Sequence, residues 1–189
     1  KLYLNSLNQS KFADISQLYR TMKTDLSACA GGPVQVTLHN VNELSAFQPT
    51  WLPGRCIDEL DIEVDQYDYN PALLQLKAQA EPVEEKLHSH LLKSNCLITN
   101  QPDWGTLEIQ IDSQPIDRAG LLEYILSFRQ HNGFHEQCVE QIFSDLTQAF
   151  APKTLMVRAW YTRRGGIDIN PCRVSDISLL PPPSRLNRQ

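Results

Sequence analysis

An α+β fold built on antiparallel sheet is what this sequence predicts, and three observations predict it. Apolar and polar residues alternate through Leu107–Ile111, and Leu155, Val157, Ala159 and Tyr161 alternate with Met156, Arg158, Trp160 and Thr162, the mark of strands. Two segments between them carry apolar residues at helical spacing. The order in the second half, β-β-α-α-β-β, is repeated over its last two thirds in the first half. The expected unit is a four-stranded antiparallel sheet with two helices on one face, present twice, with the first copy lacking its opening hairpin.

Taken in order, Leu2 to Leu7 reads as the end of a first helix. A second carries Phe12, Ile15, Leu18, Tyr19, Met22, Leu26 and Cys29 on one face and stops at Gly31-Gly32-Pro33. Val34, Val36, Leu38 and then Leu60, Ile62, Val64 alternate cleanly and predict two strands. Residues 66–82 are weakly patterned and read as a connection. From Glu85 to Thr99 the pattern is extended but impure, with Leu87, Leu91, Leu92, Leu97 and Ile98 as its apolar members. The Leu107–Ile111 strand follows Pro102. Asp117 then caps a helix bearing Leu121, Leu122, Ile125 and Phe128, and Asn132-Gly133 breaks it. Phe134, Cys138, Ile142, Leu146 and Phe150 form the stripe of the next helix, which Pro152 ends. After the Leu155–Tyr161 strand, Gly165-Gly166 turns the chain into a short strand around Ile167 and Ile169.

Composition excludes several function classes. The 189 residues are 41% hydrophobic and 21% charged, ordinary for a globular protein with its own core. A net charge of -5 gives no field for holding a polyanion, so direct nucleic-acid binding is not expected. No apolar run reaches the roughly 18 residues of a membrane span. No signal peptide opens the chain, which starts at Lys1 inside a patterned segment and reads as a fragment. Five cysteines, an odd number with no CxxC pair, fit free thiols in a reducing cytoplasm. No Cys/His group has zinc-ligand spacing, so no metal site is expected.

Several strings carry more than pattern: Lys1-Leu2-Tyr3, Ser94-Asn95-Cys96, Gln101-Pro102-Asp103-Trp104, Phe134-His135-Glu136-Gln137-Cys138 and Tyr161-Thr162-Arg163-Arg164-Gly165-Gly166-Ile167-Asp168. In this order they resemble the tandem, two-halved form of the 7-cyano-7-deazaguanine reductase family of queuosine biosynthesis. That family belongs to the tunnelling-fold (T-fold) superfamily, alongside GTP cyclohydrolase I. The resemblance runs from Lys1 to the 185–189 tail. One departure stands out: of the family's Glu-Ser-Lys-like motif ending in Lys-Leu-Tyr, only Lys1, Leu2 and Tyr3 are here. The resemblance implies an incomplete N-terminal T-fold half over 1–65, a connection over 66–82 and a C-terminal half over 83–189. It also implies a homo-oligomer, a dimer of tandem units, and a cytoplasmic oxidoreductase acting on a deazapurine nitrile. Two NADPH are consumed per turnover, and the chemistry needs no metal.

A nitrile carbon is electrophilic but sluggish towards hydride, and a thiolate that adds first converts it to a reducible thioimide. The resemblance makes Cys96 that nucleophile and Asp103 the acid that protonates the nitrile nitrogen, a task that calls for a buried carboxyl. By themselves, Cys96 reads as a small buried hydrophobe and Asp103 as a turn former. The resemblance gives Glu136 the guanine-like edge of the ligand, where a carboxylate accepts from a ring N–H and an exocyclic amine. Phe134 can stack on the base, and His135 can position the amine or pass protons. By periodicity alone, Glu136 is a first-turn residue favoured by the helix dipole and Phe134 a core anchor. His39, His88, His90 and His131 have no comparable context, and the other four cysteines read as structural.

For the cofactor there is no G-x-G-x-x-G after a strand. Arg163, Arg164 and Gly165 with Gly166 form either a phosphate-holding turn or an ordinary basic hairpin. Lys1 matches the lysine that the family motif uses for NADPH. Two rivals share the fold: a zinc-dependent cyclohydrolase, which needs Cys and His ligands, and a non-catalytic purine- or pterin-binding protein, which has no use for Cys96 with Asp103.

Overall fold

Residues 1–43, 48–77 and 80–189 are described by a computed structural model, and the chain divides into two units, Lys1–Gln48 and Pro49–Gln189. In the first, α1 (Leu2–Leu7) and α2 (Ile15–Ala30) are joined by a short loop. The Asp14 carboxylate accepts from the Gln17 N–H at 2.7 Å and starts α2, which leaves Phe12 outside the helix. Gly31 closes it in the left-handed conformation, φ 67°. Tyr3 donates its hydroxyl to Asp25 at 2.9 Å.

The second unit is a five-stranded sheet in the order β1 (Arg55–Cys56), β2 (Val83–Asn95), β3 (Pro102–Ser113), β4 (Thr154–Tyr161), β5 (Cys172–Val174). β1 runs parallel to β2, and every other neighbour pair is antiparallel. α3 (Arg118–Leu126) and α4 (His135–Phe150) lie between β3 and β4 in sequence, so the expected ββααββ order is present. Asp117 caps α3 through the Ala119 and Gly120 N–H groups, and Phe128 falls on the 3-10 turn Ser127–Gln130 that follows. Leu107, Ile109 and Ile111 of β3 with Leu155, Val157 and Ala159 of β4 are buried in one cluster with Leu121, Leu122 and Ile125 of α3 and Val139, Ile142 and Leu146 of α4. Each such side chain contributes about 1.5–3 kcal/mol by burial. The opposite face alternates as the pleat requires. There the Arg158 guanidinium sits over the Trp160 ring at 4.3 Å, and both donate to the returning chain, at the carbonyls of Pro182 and Ser184.

The impurity of the 85–99 pattern has a structural cause. The β2–β3 register shifts between Ser89 and Leu92, a β-bulge that changes the parity of the strand. Leu87 and Ser89 face inward before it, and Leu92 and Ser94 after it. Asp103 lies opposite Ser94 and is buried with it.

Three expectations about strands fail. Residues 34–38 and 60–64 form no strand, although Leu60, Ile62 and Val64 do pack against the core while Asp61, Glu63 and Asp65 stay exposed. Alternation reports one-sided burial, whereas a strand also needs a backbone partner, and these segments have none among the described residues. The strand expected around Ile167–Ile169 begins later, at Cys172. Pro171, which has no N–H to donate, separates the two, and residues 167–169 contribute only the Arg164–Ile167 bridge and the Ile169 carbonyl bonded to Tyr161. Among the described residues, no helix is long and apolar enough to cross a membrane.

One buried polar network ties α3 and α4 together. Asp145 on α4 accepts from Tyr124 on α3 at 2.5 Å, from Tyr69 at 2.7 Å and from Gln141 at 2.9 Å. Desolvation and the neighbouring carboxylate raise the Tyr69 phenol to about 12, so it stays a donor. Tyr69 also packs edge-on against Phe128 and contacts His131. Asp145→Ala is expected to lower stability by about 2–4 kcal/mol by leaving buried hydroxyls unmatched, measured as a fall in the urea midpoint with an unchanged slope. A loss below ~0.5 kcal/mol would show that the network holds nothing together.

Candidate active site

Cys96 directly follows β2 and opens the loop to β3. Its N–H donates to the Gln101 carbonyl at 2.8 Å, and its own carbonyl accepts from the Asn100 N–H at 2.9 Å, closing a turn over residues 97–99. Asn100 takes the left-handed position at φ 55°, which Asn tolerates better than most residues. The turn aims donors at the sulfur. The Thr99 side chain and N–H and the Ile98 N–H bond to it, and these bonds, helped by the charge of Arg164, bring the thiol down to about 7. A thiolate solvated in this way is populated at neutral pH and partly exposed, the setting of reactive cysteines.

Asp103 is the second residue of β3 and is 3% exposed. Arg164 Nη2 lies 2.6 Å from its Oδ1, and His135 Nε2 lies 3.2 Å from its Oδ2. Arg164 also reaches back to the Gln101 carbonyl at 3.5 Å, so it braces the β3 end of the loop that carries Cys96. The His135 imidazole lies flat on Tyr161, centroids 3.8 Å apart and planes 3° apart. The stack fixes the plane of the ring. Its Nδ1 is buried with no hydrogen-bond partner among the described residues.

The loop before α4 brings the helix start to this hairpin. Asn95 donates its N–H to the His131 carbonyl at 2.8 Å and accepts from the Gly133 N–H at 3.0 Å, extending β2 by a parallel bridge. Asn132 Nδ2 donates to Asn100 Oδ1 at 3.0 Å. Gly133 is the residue this approach tolerates: a Cβ there would come within 3.1 Å of His131 Nε2 and 3.3 Å of Cys138 Sγ. Phe134 then precedes α4, its N–H donated to the Gln137 side chain at 3.1 Å, and His135 and Glu136 form the first turn. The N–H end of the helix thus faces the hairpin and favours negative charge there.

These elements enclose a cavity of about 130 Å³. Six of its lining residues are ones the sequence singles out: Cys96, Asp103, Phe134, His135, Glu136 and Arg164. Gly133 and Ile169 complete it. Tyr161 and Thr99, which orient His135 and solvate the thiol, are not legible as site residues, because each reads as an ordinary strand or turn position. Of the residues read as a cofactor set, Arg164 is in the cavity. Arg163 is ion-paired with Asp168 at 3.5 Å and donates to the Gln189 carbonyl at 3.2 Å. Gly165, at φ 61°, forms the turn with Gly166 at φ 81°. Lys1 caps α1 in the other unit and is exposed. Against the expectation of no metal-type cluster, Cys56, His88 and His90 come together elsewhere on the sheet. The spacing of the sequence hides this because the cysteine arrives on a different strand.

Two family models match the chain. One, described as QueF-like protein, matches residues 102–177, which include Asp103, the Phe134–Glu136 segment and Arg164. The other, described as Nitrile reductase, 7-cyano-7-deazaguanine-reductase N-term, matches residues 1–38. The chain belongs to the 7-cyano-7-deazaguanine reductase family. It is thereby a nitrile reductase, an oxidoreductase of queuosine biosynthesis that acts on 7-cyano-7-deazaguanine. Among solved structures, it is similar to one titled "Crystal structure of the archaeosine synthase QueF-Like in the apo form", at 17% identity and a TM-score of 0.42 over 51% of this chain and 95% of that one. A likeness of that size bears on neither mechanism nor substrate.

A thiol near 7 sets a pH dependence for this reductase. Alkylation of Cys96 by iodoacetamide is expected to rise with pH through a midpoint near 7, because the thiolate replaces the thiol there. Thr99→Ala removes the first of the stabilising bonds and should move the midpoint up towards that of an ordinary thiol. Peptide-resolved mass spectrometry across pH 5–10 measures both. A wild-type midpoint at or above ~8.5 would contradict the solvation described.

Proposed function

We propose that the enzyme reduces its nitrile through a thioimide on Cys96, with NADPH as the hydride donor. The single observation behind this reading is that a cysteine thiol brought down to about 7 shares one cavity with the Asp103–His135 pair and Glu136. The Cys96 sulfur adds to the nitrile carbon; the S–C bond forms as one C≡N π bond breaks, and that electron pair takes a proton at nitrogen. A hydride delivered to the thioimide carbon, with loss of the S–C bond, releases an imine and restores the thiolate. A second hydride at carbon and a second proton at nitrogen give the aminomethyl product. The balance is two hydrides and two protons per nitrile, hence two NADPH.

Cys96 supplies the nucleophile. Asp103 supplies the proton, shared across its contact with His135 Nε2, whose orientation Tyr161 fixes. Arg164 holds the other Asp103 oxygen and keeps the carboxyl turned towards His135. Glu136 accepts from the ring N–H and amino group of the base, and Phe134, 43% exposed at the cavity edge, stacks on its plane. A cavity of about 130 Å³ holds the nitrile end, while the bicyclic base extends to Phe134 and Glu136 at the mouth.

For NADPH, the 163–166 turn offers two guanidiniums beside positive-φ glycines, a setting suited to phosphate. Arg164 is already committed to Asp103, so Arg163, at 3.5 Å from Asp168, is the cation we assign to the cofactor, with the Gly165 backbone; Lys1 is assigned to NADPH from the family motif alone. The chemistry on Cys96 needs no metal. We retain the division into a T-fold half over 1–65, a connection over 66–82 and a second half over 83–189, assembled as a homo-oligomer of tandem units in the cytoplasm.

In the full-length protein, Cys96→Ala is expected to abolish nitrile-dependent NADPH oxidation with the circular dichroism unchanged. Turnover within tenfold of wild type would rule out covalent catalysis at this residue. Glu136→Ala is expected to weaken binding of 7-cyano-7-deazaguanine by on the order of 2 kcal/mol, about thirtyfold, through the loss of charged hydrogen bonds. Calorimetry in the Cys96→Ala background isolates that step, and an unchanged affinity would remove Glu136 from the site.

A further inference from the structure

The edge of the sheet opposite β5 carries a second constellation of reactive side chains. Cys56 on β1 lies directly across the parallel ladder from His88 on β2, and His90 follows two positions on. One ligand atom from each of the three lies within 4.8 Å of the others. His90 sits in the β2 bulge, and its Nδ1 is 3.0 Å from Thr106 Oγ1. With Nδ1 donating to that hydroxyl, Nε2 would carry the lone pair, the outer-shell arrangement of metal-binding imidazoles. Nδ1 of His88 is buried with no hydrogen-bond partner among the described residues, and so is Oδ1 of Asp58. The second Asp58 oxygen accepts the His90 backbone N–H at 2.9 Å, and its carboxylate also lies against the Cys56 thiol. Buried polar atoms are nearly always satisfied, so two bare ones beside a Cys-His-His group point to a missing partner.

We propose that Cys56, His88 and His90 form a three-residue binding site for a divalent transition-metal ion of the zinc type, with the fourth position left to water. A thiolate and two imidazoles favour zinc over magnesium or calcium, which prefer an all-oxygen shell. One thiolate and two neutral imidazoles supply three of the four donors that a tetrahedral 2+ ion takes. The ion staples β1, only two residues long, to the edge of β2, and holds the 55–58 segment to the sheet beside a cavity of about 340 Å³ lined by Trp51, His88, His90 and Arg188. The site takes no part in nitrile reduction, and its existence does not rest on the reaction proposed for Cys96.

Cobalt(II) titrated into the metal-stripped full-length protein tests this. One equivalent per chain is expected, with the intense visible absorption of tetrahedral cobalt and a near-ultraviolet thiolate-to-cobalt band, both displaced by zinc. Cys56→Ser should lose the thiolate band and His88→Gln the tight binding, whereas Cys96→Ser should retain both. Zinc should raise the melting temperature of wild type and Cys96→Ser but not of His88→Gln. The proposal is overturned if no stoichiometric cobalt binds, if the thiolate band survives Cys56→Ser, or if it disappears in Cys96→Ser instead.

Discussion

Two backbone hydrogen bonds, from Asn95 to His131 and from Gly133 to Asn95, hold the candidate site together. They join the end of β2 to the loop before α4, and through that join a cysteine and a carboxylate from one hairpin meet the first turn of a helix some thirty residues away. The 3.2 Å contact of His135 Nε2 with Asp103 Oδ2 reinforces this backbone join from the side chains. Gly133 makes the approach possible by having no side chain, and the Asn132–Asn100 contact locks the far side of the loop. Because β2 and β3 are the central antiparallel pair and α4 is packed on the core, the join inherits the stiffness of the whole unit.

Within that frame the two chemical roles we propose pull in opposite directions. A nucleophilic thiolate is favoured by hydrogen-bond donors and positive charge, and Thr99, Ile98 and Arg164 supply them. A proton source must hold a proton within reach of the same substrate atom pair. The structure separates the two demands by depth: Cys96 stands on a partly exposed turn, while Asp103 is buried one strand position inward, facing His135. Arg164 touches both environments and couples them. The β2 bulge makes that difference in depth possible, because without the change in parity Lys93 rather than Ser94 would point into the core opposite Asp103.

Sequence pattern reached the ββααββ order, the Asp117 cap and the core stripes of α4, because long periodic segments with clear stops leave little freedom. It failed where pattern and pairing part company. Leu60, Ile62 and Val64 alternate and are buried alternately, yet no neighbouring backbone makes them a strand. Likewise the last strand begins at Cys172, because Pro171 joins β4 only through its carbonyl, which accepts from the Ala159 N–H, and has no N–H to give. Cys96, Asp103, Phe134, His135 and Glu136 line one cavity together with Arg164, which the sequence grouped with the cofactor residues, and it was a family resemblance, not periodicity, that joined the hairpin to the helix. Tyr161, Thr99 and the Asn95–Asn132 join act through geometry, and no pattern in the sequence assigns them a role in the site. The Cys56–His88–His90 group was hidden for the same reason: its donors are neighbours across a sheet edge, with no spacing signature along the chain.

Catalysis by this route turns on a bond between one sulfur and one carbon, and intact-protein mass spectrometry reads it directly. Full-length enzyme incubated with 7-cyano-7-deazaguanine and no NADPH should gain the mass of one ligand, localised by peptide mapping to Cys96 and absent in Cys96→Ser. Unshifted protein at ligand concentrations where binding is demonstrably saturated, or an adduct on another cysteine, would contradict the account.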